Sequence, residues 1–172
     1  TLFPYTTLFR SGAIAALNGN IHIENTTIEN NVATAAGGAL VNYVYADVTM
    51  NSNVITGNEA PAGGAIYSGS NIVSTNDEIT LNNADEGGGI YVEGSSADFS
   101  NTLVYNNKAT SAGNDYAIGD EASTVSIMDV TNINKKAQFG TKEITIDSWH
   151  TDNSDNRYAL DNITEVVNPT SI

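Results

Sequence analysis

Short runs of alternating apolar and polar residues recur along the chain, as in Ile21-His22-Ile23 and Val48-Thr49-Met50. A period of two is what a strand with one buried face requires. No segment carries an apolar stripe of 3.6-residue period and helical length, so the pattern predicts strands and turns only.

The alternating runs repeat. Gly37-Gly38-Ala39-Leu40, Gly63-Gly64-Ala65-Ile66 and Gly87-Gly88-Gly89-Ile90 are one element in three copies. Ser11-Gly12-Ala13-Ile14 matches before them, and Asp115-Tyr116-Ala117-Ile118 reads as a degenerate copy after Gly113. The aliphatic members Ile14, Leu40, Ile66, Ile90 and Ile118 are spaced by 26, 26, 24 and 28 residues, within the range of solenoid repeats. A second column holds Asn31, Asn58, Asn82 and Asn107, each followed two residues later by Ala33, Ala60, Ala84 and Ala109. Ahead of it run Ile28, Ile55, Ile79 and Val104, and before those Ile23, Met50, Ser74 and Phe99.

Two or three short strands cannot bury their own apolar face. Stacking like on like does so, and parallel pairing between neighbouring coils satisfies the backbone. The expected fold is all-β: a right-handed parallel β-helix of about five to six coils of 24–28 residues, the hand following from the rule for parallel crossovers. The repeats span 12–149, with Thr141 to Trp149 as the last alternating stretch, and 150–172 reads as an irregular C-terminal segment of a truncated chain.

The GGAI-type element with Asn-x-Ala upstream resembles the repeats of polymorphic outer-membrane and adhesin-like β-helix proteins. The resemblance is carried by Asn31 to Leu40, Asn58 to Tyr67, Asn82 to Tyr91 and Asn107 to Ile118. It departs from that family where Ile or Val stands for the frequent Phe before the Asn, and where the last copy lacks the double Gly. What the resemblance implies is a fragment of an exported, cell-surface protein, extracellular, acting as spacer and binding surface. The alternative is a carbohydrate-active β-helix enzyme, a polysaccharide lyase or glycoside hydrolase, with its catalytic coils outside this segment or late in it. A separate resemblance concerns Thr1 to Ser11, TLFPYTTLFRS, which is similar to the in-frame translation of a short-read sequencing adapter. Residues 1–11 are therefore expected to be an artefact and are left out of the fold argument.

Composition narrows the partners. Twenty Asp and Glu stand against six Lys and Arg, a net charge of −14 that would repel the phosphates of nucleic acid. Apolar residues make up 40% of the chain, too many for a disordered acidic tail, yet no apolar run reaches the roughly 18 residues of a membrane helix. The chain has no cysteine, which removes disulfides, thiolate metal sites and thiol nucleophiles together.

The candidate sites divide between scaffold and surface. Asn31, Asn58, Asn82 and Asn107 read as an internal amide ladder, each side chain bonding the next and capping backbone groups. Tyr67 and Tyr91 follow the inward aliphatic column by one residue, which turns them outward as an aromatic pair. Such a pair could hold sugar rings of surface glycans, or other molecules on a host or neighbouring cell, or only brace the sheet. The positions equivalent to it are read as Ala15, Val41 and Gly119. Among the acids, Asp85-Glu86 and Asp120-Glu121 read as solvated corners, and with Asp98 they form no paired-carboxylate or calcium-loop motif. Lys108, Lys135, Lys136, Lys142 and Arg157 supply no base beside them. His22 and His150 lack a second ligand at metal spacing, and Trp149 reads as packing for the terminal coil. No catalytic residue, metal site or cofactor is assigned from the sequence.

Overall fold

The computed structural model describes residues 12–43, 45–119 and 123–127, and the backbone of 136–139 and 142–145. The first coil gives β1 (Ile14–Ala16), β2 (Gly19–Glu24) and β3 (Thr27–Glu29). The second gives β4 (Leu40–Asn42), β5 (Ala46–Asn51), β6 (Val54–Thr56) and β7 (Glu59–Ala62). The third gives β8 (Ile66–Ser68), β9 (Ile72–Thr80) and β10 (Asn83–Glu86), and the fourth β11 (Ile90–Val92), β12 (Ser96–Tyr105) and β13 (Lys108–Ala112). A fifth begins with β14 (Tyr116–Ile118) and β15 (Thr124–Ile127). Further on, β16 (Lys136–Phe139) and β17 (Lys142–Thr145) pair with each other antiparallel.

Every ladder between coils is parallel. One sheet runs β1-β4-β8-β11-β14, a second β15-β12-β9-β5-β2 with β3 and β6 alongside, and a narrow third β13-β10-β7. This is an all-β parallel solenoid of about four turns, with no helix among the described residues. The expected five to six coils exceed that count, because the described turns end at β15.

The inward columns are those the alternation predicts. Leu40, Ile66 and Ile90 stack in register, as do Ile28, Ile55, Ile79 and Val104. Together with Val48, Met50, Ile72 and Phe99 they form one continuous core, while Ile14 in the first coil is half-buried. Each such column repeats a branched or aromatic side chain at the strand spacing, so apolar surface is buried coil against coil rather than within a coil.

The fifth copy needs a correction. Ile90 pairs with Tyr116, not Ile118; Ile118 pairs with Val92. The copy begins at Gly113, whose φ of +66° matches Gly37, Gly63 and Gly87, so Gly113-Asn114-Asp115-Tyr116 is the true equivalent of Gly87-Gly88-Gly89-Ile90. The two alignments look alike in the pattern because a slip of two residues keeps the same face. Ile118 is buried in either alignment.

The double glycine has a steric cause at both positions. Gly63 lies at φ +63°, in the left-handed region. At Gly64 a Cβ would collide with the carbonyl oxygens of Gly88 and Asn83, because this corner packs directly on the backbone of β10. Two other columns of left-handed residues turn the chain mostly with non-glycine residues. One is Asn25, Ser52 and Asn76; the other is Asn30, Gly57, Leu81 and Asn106.

Candidate functional site

Two ladders of polar side chains begin one residue after those left-handed corners. Asn58 and Asn82 are fully buried, Asn107 nearly so, and Asn31 half-buried. Each amide does the same work. The Asn82 oxygen accepts the Asn58 backbone N–H at 2.9 Å and its amide N–H at 3.0 Å. The Asn82 amide nitrogen in turn donates to the Ile55 and Thr80 carbonyls and to the Asn107 oxygen at 2.9 Å. Asn31 bonds Asn58 in the same way at 2.9 Å. The side-chain to side-chain bonds all donate towards the later coil, while the bonds to the Ile55 and Thr80 carbonyls tie the Asn82 rung to the coil before it and to its own coil.

The ladder ends on Asp115. Its Oδ1 accepts the Asn107 backbone N–H at 3.1 Å and the amide N–H at 2.8 Å, while its Oδ2 is buried without a hydrogen-bond partner. Burial pushes the Asp115 carboxyl up to about 7, against the opposing pull of the Asn107 donors. Asp115 in turn raises the Tyr116 phenol, which burial has already pushed well above its usual range. The Tyr116 ring lies edge-on to Phe99 with centroids 6.1 Å apart.

A second ladder, absent from the sequence reading, runs through Thr26, Asn53, Asp77, Ser74 and Thr102. The Asn53 oxygen accepts the Thr26 N–H at 3.0 Å, and Asn53 donates its backbone and amide N–H to Asp77 Oδ1 at 2.6 and 2.8 Å. The other Asp77 oxygen accepts the Ser74 hydroxyl, which is 2.7 Å from the Thr102 hydroxyl. Asp77 is fully buried, and desolvation raises its pKa although these donors oppose the shift. A signal existed: Thr26, Asn53, Asp77 and Thr102 each stand five residues before the members of the Asn column.

On the outer face, Tyr67 and Tyr91 pair in register and their rings stack nearly parallel, 9° apart with centroids at 5.5 Å. That spacing is close to the strand repeat, so the rings turn one broad face to each other along the solenoid axis. Tyr43 lies 6.3 Å from Tyr67, tilted by 42°, although its strand neighbour Val41 is the residue in register with Tyr67. The position in register after Tyr91 is Ala117, not Gly119. Gly119 matters differently: a Cβ there would strike the Tyr91 ring, which lies against it. The Tyr67 hydroxyl donates to the exposed Glu93, and burial together with that carboxylate raises the phenol well above its usual pKa. Tyr43 and Glu93 were not singled out from the sequence, because neither falls on a regular column.

The remaining candidates are dispersed. Asp85 and Glu86 lie within β10 rather than at a corner. Asp85 accepts the Thr110 hydroxyl at 2.8 Å beside an open groove of about 250 Å3 that Glu59 and Pro61 also line. Asp98 accepts the Ser100 N–H and hydroxyl at a bulge of β12. His22 is exposed, 2.8 Å from the Thr49 hydroxyl and 3.3 Å from Glu24. Among the described residues, no group of three His, Cys, Asp or Glu is placed to hold a metal ion. Also among them, no helix is long and apolar enough to cross a membrane. Residues 1–11, Asp120, Glu121, Lys135, Trp149, His150, Arg157 and the segment 150–172 lie outside the described residues, as do the side chains of Lys136 and Lys142. Comparison with protein families, with curated proteins and with solved structures finds no match. What stands is the class, a parallel β-solenoid.

Proposed function

We propose that this chain is part of an exported, cell-surface β-helix of the adhesin-like type, in which the rod is a spacer and its outer face a binding surface. The observation that supports this reading is the aromatic run Tyr43–Tyr67–Tyr91 on the outside of the first sheet, with Glu93 beside it. The buried polar side chains of the two ladders are engaged in holding coil to coil, so recognition falls to the outer face. Because Tyr67 and Tyr91 cover one face of each other, a ligand meets ring edges, hydroxyls and the wedge between Tyr43 and Tyr67, with Glu93 as an acceptor for sugar hydroxyls. Partners of this chemistry are surface glycans or other molecules on a host or neighbouring cell.

The test is a glycan array probed with the whole chain and with Tyr43→Ala and Tyr91→Ala. Binding to a defined glycan that falls at least tenfold in either variant, at unchanged thermal stability, is the expected result. Binding that both variants retain would remove the aromatic run from the reading. Depolymerisation of a polysaccharide by the parent chain would replace the reading with an enzymatic one.

A further inference from the structure

We propose that Asp115 is a proton-operated latch on the fifth coil: protonated, it is a neutral last rung of the amide ladder, and ionised it loosens β14 and β15 from the coil beneath. The position itself is unusual in the repeat. In the earlier coils the same site holds Ala39, Ala65 and Gly89, none of which has a polar side chain. Only in the last copy does a side chain reach from this site to Asn107, taking the place that an asparagine of a following coil would occupy. A carboxylate is an acceptor only, and this one is 2% exposed with one oxygen satisfied and the other unpartnered. A buried charge so placed favours its neutral form.

Among the described residues, no cationic side chain bonds the Asp115 carboxyl. Asn107 faces Asp115 directly, and Tyr116 follows it. On the packed elements the ionisable groups are exposed Lys108 at the start of β13, Asp85 and half-buried Glu86 in β10, Tyr91 in β11, and Asp98 and Tyr105 in β12, with the Tyr105 hydroxyl donating to Glu78. Burial pushes the folded-state carboxyl up to about 7, whereas an unfolded aspartate titrates near ~3.9. Between those values the fold holds one proton more than the unfolded chain, so this contribution to stability is present in acid and lost as pH rises through about 7. The bonds that hold the fifth coil to the fourth include the N–H groups of Gly88, Gly89 and Ile90, which donate to Gly113, Asn114 and Asp115.

The experiment combines urea unfolding and amide hydrogen exchange between pH 5 and 8 for the whole chain, for Asp115→Asn and for Asp77→Asn. In the parent, the unfolding constant should rise on the order of a hundredfold across that range. Asp115→Asn should remove most of the rise, and Asp77→Asn should keep it. Exchange corrected for intrinsic rates should accelerate at Gly88, Gly89 and Ile90 before it does at Ala65 and Ile66. An unchanged pH dependence in Asp115→Asn, or uniform loss of protection in all coils, would overturn the proposal. If Asp115→Asn does not fold, carboxyl carbon-13 titration of the parent decides: a midpoint near 7 supports the latch, and one below 5 refutes it.

Discussion

The two ladders bear the same load with different chemistry. In the Asn31–Asn58–Asn82–Asn107 ladder every rung is an amide, both donor and acceptor, so one geometry can be translated from coil to coil without limit. In the Thr26–Asn53–Asp77 ladder the third rung is a carboxylate, which accepts only. The direction of the bonds therefore reverses there: Asn53 donates from one side, and Ser74, linked to Thr102, donates from the other. Aspartate can enter such a ladder where donors converge on it, as at Asp77, or where the ladder stops, as at Asp115. The pairing of residue types across coils follows from counting hydrogens.

That contrast can be broken most severely at the centre of the uniform ladder. Asn82→Ala strands the Asn58 donors and the Asn107 acceptor inside the core, and should lower the unfolding free energy by about 3 kcal/mol in urea titration. Loss of less than about 1 kcal/mol would mean that water replaces the rung. Asp77→Ala removes the convergence point of the mixed ladder and should cost about 2 kcal/mol by the same measurement. Asp77→Asn should cost less than about 1 kcal/mol, because the Ser74 hydroxyl can accept from the new amide as readily as it donated to the carboxylate. A smaller effect of opposite sign is expected at the corner that feeds the uniform ladder. Leu81 is 60% exposed at φ +59°, where its column mates are Gly57 and two asparagines, so Leu81→Asn should raise stability by about 1 kcal/mol. His22→Ala, on the exposed face of β2 outside both ladders, should change stability by less than about 0.5 kcal/mol.

The uniform ladder was legible in the sequence and the mixed one was not, for a physical reason. Identical amides must recur at one spacing, so Asn58, Asn82 and Asn107 announce themselves as a column. Asn53, Asp77 and Thr102 do an equivalent job with three residue types and leave only a polar position five residues upstream. The fold was readable because burial selects Leu40, Ile66 and Ile90 by size and shape. The register of its last copy is obscured in the sequence because Asp115 occupies a site elsewhere held by alanine or glycine. The Tyr67–Tyr91 stack follows from register, whereas Tyr43 reaches it by a tilt that no spacing encodes.

Among the described residues, the parallel backbone ladders and the two side-chain ladders join each coil to the next along the solenoid axis. A pull on the two ends of the rod therefore loads the coils in series, and the weakest interface yields first, without sharing the force with the others. Each coil that peels away releases 24–27 residues, on the order of 85 Å of extended chain. Such a solenoid would lengthen in steps under tension, holding its remaining coils intact and dissipating the load one interface at a time.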